Sequence, residues 1–398
     1  MSPQPGKPAL LRTLNDRRAL ELLFAHGPLT RGRIGELSGL SKPTATQVVQ
    51  RLEALGLVGP VARVSGGRGP DAVAYGLVAD GNVGVAIDAR AHRLAAVVID
   101  VLGTELAHVE ASRTVDGPVP AGAAGTGGPE ELAALVDRAC EAAGAARRDV
   151  RLAVIGVSAA VDEAGDTLRF AEDFPRWPVG GVRRRLVDAL ACDVVLDNDV
   201  KLAAVAERDH GVARDAKSFS ILWMGQGVGL ATDLAGEVVR GSDGAAGEIG
   251  YLRTPAATEA DDPVEPPTFH HLLSASAVLE LGRRCGISPG AGTGTDDALA
   301  EALADDRVVE TLARRVAECA APVLAVLDPE MLVLAGPVAV RGGDRLAARV
   351  DELVSVSSPW RARVAPTGLP SGAVLEGARV ALLRRLRAGA LERAGTLD

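Results

Sequence analysis

The stretch Gly225–Leu252, GQGVGLATDLAGEVVRGSDGAAGEIGYL, crowds glycines into a short turn and follows it with a strand and a hairpin. It then sets a lone acid, Glu248, in a second Gly/Ala-rich patch. Turns of this composition wrap phosphates and sugars, because the missing side chains let backbone N–H groups approach an anion closely. Asp197-Asn198-Asp199 stands directly before a helical stretch beginning near Val200, where it can act as a capping cluster. The four cysteines, Cys140, Cys192, Cys285 and Cys319, are far apart and form no CxxC pair. They read as reduced, mostly buried thiols, neither a disulfide framework nor a zinc site.

The surrounding pattern is of the α/β kind. Three β-rich runs (83–88, 94–100, 105–111) are joined by tight turns, and 112–129 is a Gly/Pro-rich loop. A helix over 130–145, the strand VRLAVIGVSA, the strand DVVLD at 193–197 and a helix from about Val200 follow, then the strands around the glycine turn. Two similar α/β lobes account for this order, and ligands in such folds sit at strand ends, in the cleft between lobes. A long helix over 307–327, with Pro322 as a candidate kink, leads into LDPEMLVLAGPVAV, a buried strand ending in small residues.

At 398 residues the chain is too long for one ordinary domain. Apolar residues make up 47% and aromatics only 3%, so the cores must be built from Ala, Val and Leu. No run of about eighteen apolar residues suggests a membrane span, and MSPQPGKPALLRTLNDRR lacks the apolar stretch of a signal peptide. The expectation is a cytoplasmic protein that engages no membrane.

Charge is uneven. Residues 1–75 carry a net +5, whereas the whole chain carries −9 and the remainder therefore −14. A basic head on an acidic body suits a head that alone meets a polyanion. Within it, ALLRTLNDRRALELLFAH repeats Leu11, Leu14, Leu20, Leu23 and Phe24 at helical spacing. Thr30 can cap a second, short helix, with Leu29 and Ile34 at the positions of a hydrophobic staple, and Gly39 stops it. Ser41 can cap a third, in which Ala45, Val48, Val49, Leu52 and Leu55 form the buried stripe. Thr44, Gln47 and Arg51 then share another face.

Two helices joined by a four-residue turn describe a helix-turn-helix, with the second entering a major groove. Gln47 suits adenine, and Thr44 can hydrogen-bond or touch a thymine methyl. Lys42 and Arg51 are placed to hold phosphates. Two β-type runs, about 61–65 and 72–77, flank GGRGP as a winged-helix hairpin, and Arg68 at its tip can enter a minor groove. Ser41, Lys42, Thr44, Gln47, Arg51 and Arg68 are the candidate DNA contacts. A solvated turn arginine at Arg68, and a helical dimerisation unit in place of the reader, are the plainer alternatives.

The body resembles the ROK family of sugar kinases and repressors, which share the actin/hexokinase (ribonuclease-H-like) fold. With the winged helix in front, the chain resembles the ROK transcriptional regulators. The matching pieces are LSKPTATQVVQRLEALGLV, GGRGP, VVLDNDVKLAAVAE, GQGVG, VVRGSDGAAGEIGYL and LDPEMLVLAGPVA, running from residue 9 to about 340. The expected architecture is a winged helix-turn-helix over 1–78 and an N-terminal lobe over 83–198, to which the C-terminal segment is free to return. A C-terminal lobe over 199–398 carries the long helix 307–327 as a dimerisation element.

The resemblance implies site residues. Asn198 and Asp199 match the family's sugar-binding Asn and catalytic Asp, and Glu248 matches its sugar-contacting Glu. Tyr251 stands where the family has a His touching sugar and zinc. His270 aligns with the Glu that follows the family's zinc-binding cysteines, and Ala159 with a turn Gly. RTPAATEADDPVEPPT replaces the cysteine cluster, so zinc is not expected.

Active relatives follow their first Asp with Gly-Gly-Thr-Lys. Here Asp88 is followed by Ala89-Arg90-Ala91-His92, which reads as a plain β-turn. Phosphoryl transfer is mostly positioning and electrostatics, so the loss of this cradle leaves Asp199 as a vestigial base, with ATP and Mg²⁺ not expected. The reading is a regulator, a repressor, that binds a double-stranded DNA operator as a homodimer or dimer of dimers. It senses a carbohydrate effector without phosphorylating it. A constitutive regulator with a vestigial pocket and an active sugar kinase are the alternatives.

Overall fold

The computed structural model describes residues 8–64, 72–79, 81–112, 128–171, 177, 180–254, 267–290, 292–357 and 359–395. The head is built from α1 (Pro8–His26), β1 (Leu29–Thr30), α2 (Arg31–Ser38), α3 (Lys42–Ala54), β2 (Val58–Val64) and β3 (Ala72–Leu77). Thr30 caps α2 by accepting from the Arg33 N–H, and Ser41 caps α3 by accepting from the Thr44 N–H. Ala45, Val48, Val49 and Leu52 are buried against Leu20, Leu23 and Ile34.

Two features of the head lie beyond what periodicity shows. Leu11 and Leu14 keep helical spacing but stay 55% and 51% exposed, because the head's core begins only at Ala19. The two-residue β1 was not foreseen: it pairs with β3, giving the order β1-β3-β2.

The body holds two five-stranded sheets. The first lobe contains β4 (Val83–Ala89), β5 (Arg93–Asp100), β6 (Glu105–Ser112), α4 (Pro129–Ala143), β7 (Val150–Val157), β8 (Ala160–Asp162), β9 (Thr167–Arg169), α5 (Val182–Leu190) and β10 (Asp193–Asn198). α6 (Asp199–His210) follows. The second lobe contains β11 (Ser218–Met224), β12 (Val228–Leu234), β13 (Glu237–Val238), α7 (Phe269–Leu273), α8 (Ala275–Arg284), α9 (Thr295–Leu303), α10 (Asp306–Leu327), β14 (Met331–Ala335), α11 (Gly336–Ser357, broken at Gly343) and β15 (Arg363–Pro366). α12 (Ala373–Ala394) closes the described chain.

The orders are β10-β7-β4-β5-β6 and β15-β14-β11-β12-β13. In each, three antiparallel strands are extended by two parallel ones. One plan is thus used twice. Parallel strands carry no polar alternation because helices cover both faces, and β4 and β14 are buried throughout.

α6 and α12 lie at the centre. Leu202, Ala203 and Ala204 of α6 and Val374, Ala378 and Leu382 of α12 pack with Val97 and Val154 of one sheet and Ile221 and Val333 of the other. α10 was expected as a dimerisation helix. Its apolar residues, Val308 to Leu324, pack inside the second lobe against α11 and its neighbours, so any partner would meet its outer face, and it remains one helix across Pro322.

Candidate functional site

A cleft of about 440 Å³ opens where the lobes meet. Asn198, Asp199, Glu248, Tyr251 and His270 all line it, so residues 72 positions apart in the chain share one cavity. Asn198 and Asp199 arrive at the end of β10 and the start of α6. The GEIG segment is laid directly on β12: the Leu230 N–H donates to the Gly247 carbonyl at 2.8 Å. Gly247 has φ 95, and a β-carbon there would sit 1.9 Å from the Leu230 carbonyl oxygen. Only glycine permits that approach, which fixes where Glu248 enters the cleft.

Asn198 does the work of a helix cap. Its Oδ1 accepts from the Lys201 N–H at 3.1 Å, and its Nδ2 donates to the Ala159 carbonyl at 3.2 Å. The capping reading of Asp197-Asn198-Asp199 is therefore present in the structure. Asp199 Oδ1 accepts from the Val200 N–H at 2.8 Å. Burial pushes its carboxyl up to about 7, Asp88 and Glu248 add to the rise, and Arg90 opposes it. His270 sits exposed at the rim in α7, its ring edge-on to His271, while His271 Nδ1 accepts from the Thr268 N–H.

The turn after Asp88 is a tight hairpin closed by the Arg90 N–H on the Arg93 carbonyl at 2.9 Å. Arg90 reaches back, its Nε 2.9 Å from Asp88 Oδ2, with the guanidinium 5.9 Å from the centre of the Trp223 ring. Where the resemblance implies a phosphate cradle, this chain places a cation bound to its own carboxylate.

Sequence reasoning missed three residues here. Phe170 and Trp223 line the cleft, and scarce aromatics outside the expected Ala/Val/Leu cores were the signal available for them. Lys201, 2% exposed, donates its ammonium to the Gly244 carbonyl and ties α6 to the loop before Glu248. Burial lowers its pKa. A lysine on an otherwise apolar helix face, KLAAVA, was the clue.

In the head, Ser41, Lys42 and Gln47 are exposed on α3, with Thr44 half-buried beside them. The Thr44 hydroxyl lies 2.8 Å from Ser41 Oγ. Arg51 has a partner inside the head. Its Nε donates to Asp16 Oδ2 at 2.9 Å and its second arm to Oδ1, while Asp16 is 2% exposed. The guanidinium is committed to α1, because an unpaired buried carboxylate would be costly. Arg68 and residues 255–266, which cover most of the segment in place of the cysteine cluster, lie outside the described residues.

A model of the ROK family matches residues 85–286, half of the chain. The chain belongs to the ROK family. A model of the MarR family matches residues 12–69, the head that precedes the ROK body. The whole fold, head included, is similar to the crystal structure of a ROK family transcriptional regulator described as a homologue of the E. coli MLC protein. That similarity has a TM-score of 0.72 at 17% identity and covers 97% of this chain and 99% of that one.

The ROK body alone is similar in fold to a Streptomyces griseus ROK glucokinase, with a TM-score of 0.57 at 20% identity over 74% of this chain and 97% of that one. A Caldicellulosiruptor protein provisionally named a xylose repressor is 24% identical over 251 residues, 62% of this chain and 60% of the relative. The chain spans 55% to 60% of the length of the first curated relatives it matches. Among the described residues no helix is long and apolar enough to cross a membrane.

Proposed function

We propose that this ROK protein is a DNA-binding transcriptional repressor whose body senses a carbohydrate without phosphorylating it. One observation carries the reading: a single helix, α12, packs on both α6, whose first residues line the cleft, and the head. Its N-terminal half packs on α6, which begins at Asp199. Its C-terminal half enters the head's core, where Ala390 and Ala394 join Leu20 and Leu23. Arg387 lies over the Phe24 ring at 5.2 Å and donates to the Leu102 carbonyl at 3.2 Å.

A ligand that prefers one packing of α6 against α12 shifts the head's population, and operator affinity changes by the same coupling. Two heads must match half-sites about one helical turn apart, so the working form is a homodimer acting in the cytoplasm. Arg90 at the first-loop position supports sensing without ATP or Mg²⁺. The provisional name of the Caldicellulosiruptor relative points to sugars as effectors.

The test is operator binding by the full-length protein, followed by fluorescence anisotropy while sugars are added with and without ATP–Mg²⁺. Release by one sugar, without ATP and without ADP formation, is the expected result. Sugar-dependent ADP release abolished by Asp199→Asn would establish the kinase instead. The engagement of Asn198 as a cap favours a second reading, a constitutive regulator with a vestigial pocket. Operator binding that no sugar alters would bear it out.

A further inference from the structure

Aromatic side chains are scarce in this chain: three Trp, two Tyr and five Phe among 398 residues. One of each kind, Trp223, Tyr251 and Phe170, lines the cleft. Phe170 follows β9 in the first lobe, and Tyr251 follows the GEIG segment in the second. Their rings meet across the lobe boundary, with centroids 4.9 Å apart and planes inclined at 40°.

Phe170 holds φ 54, a left-handed conformation that a β-carbon disfavours and that persists where surrounding structure enforces it. The Arg169 guanidinium lies 5.2 Å from the Phe170 ring centre and pairs with Asp243 of the second lobe. Tyr251 remains 50% exposed, so the two-ring wall is not sealed in a core.

The same cavity offers the carboxylates Asp199 and Glu248 to hydroxyl groups. Its volume of about 440 Å³ falls within the roughly 300–1,000 Å³ of sites that hold drug-sized ligands, which leaves room beyond one pyranose ring. We infer that the effector is a carbohydrate derivative carrying a planar apolar substituent, an aryl or comparable aglycone. The substituent stacks on the Phe170–Tyr251 wall while the sugar hydroxyls meet Asp199 and Glu248. This rests on the sensor reading above and narrows its ligand.

Offset and edge-to-face ring contacts are the favoured geometries for such a partner. Phe170 and Tyr251 thereby become specificity-determining residues. Tyr251 contributes its ring more than its hydroxyl, so Tyr251→Phe preserves the preference.

The experiment is calorimetric titration of the full-length protein with free, methyl and phenyl glycosides of glucose, xylose, galactose and N-acetylglucosamine. The phenyl glycoside of the accepted sugar should bind about tenfold more tightly than its methyl counterpart, the size of one good aromatic contact. Phe170→Leu and Tyr251→Leu, which keep apolar bulk and are checked for unchanged melting, should each bring the ratio of phenyl to methyl glycoside affinity most of the way back to one. Equal affinity for phenyl and methyl glycosides overturns the inference and leaves the sensor standing. Variants that weaken both glycosides equally make the pair a lobe contact only and also overturn it. Failure of every sugar and glycoside to bind overturns the sensor reading itself.

Discussion

Gly377 of α12 lies against the Leu202 carbonyl of α6, so closely that a β-carbon would fall 1.8 Å from the oxygen. No side chain fits there without moving one helix. Because α6 begins at Asp199 and α12 packs against the head, a sensor of the proposed kind would pass a ligand's effect through this crossing. Gly377→Ala should destabilise the body by about 1–3 kcal/mol, the usual cost of forcing atoms into a packed core. In the fraction that stays folded, operator affinity should respond to effector less than in the parent. Melting curves and anisotropy titrations check both, and an unchanged ligand response would place the coupling elsewhere.

Asp199 supplies a pH prediction. Its carboxyl is raised from 3.8 to about 7, chiefly by burial. A carboxyl raised on folding favours the folded state fully below the unfolded value, and that advantage is lost as pH rises through the folded one. Asp199→Asn should therefore leave stability unchanged near pH 4 and raise it above pH 7. The gain is at most about 4 kcal/mol, three units at 1.36 kcal/mol each, and less in practice because the cleft admits water. Urea midpoints at pH 4 and pH 8 decide it. Equal differences at both pH values would mean that the carboxyl titrates normally.

The head was legible because its signals are local. A cap, a stop and a 3.6-residue stripe fix α2 and α3 within a few residues. The Arg51–Asp16 pair was hidden for the opposite reason: Asp16 lies 35 residues away, on a helix whose facing direction no short window reveals. The same limit hid the exposure of Leu11 and Leu14, since periodicity identifies a stripe and not what covers it. In the body, the repeated β plan could be read from the order of runs, whereas the Phe170–Tyr251 contact joins lobes that only the fold brings together. Arg90 was read as a side chain that spoils a loop, and its bond to Asp88 appears only in three dimensions.

Lys42 and Arg51 should now separate. Lys42 is exposed and touches no core, so Lys42→Ala should leave melting unchanged and lower the salt dependence of operator binding by about one unit of slope. Arg51→Ala strips Asp16 of its partner and should cost the head about 2–3 kcal/mol, toward the low end for a broken buried pair because Arg51 is 26% exposed. Anisotropy at several salt concentrations, beside melting of both variants, tests the pair. A stable Arg51→Ala protein with a reduced salt slope would return Arg51 to the DNA.

Gln47 is exposed on the outer face of α3 that it shares with Thr44, two turns from the C-terminal end of that helix and clear of the head's core. An amide in such a position can read adenine through paired hydrogen bonds at N6 and N7, each such contact discriminating by about 1–3 kcal/mol. Gln47→Ala should relax preference at one base pair per half-site while leaving affinity for unrelated DNA unchanged, because non-specific binding is carried by phosphate contacts. Selection of operators from a randomised pool by the parent and the variant measures this directly. A variant that selects the parent's sequence at every position would show that Gln47 does not read a base, and would leave Thr44 as the remaining candidate reader on that face.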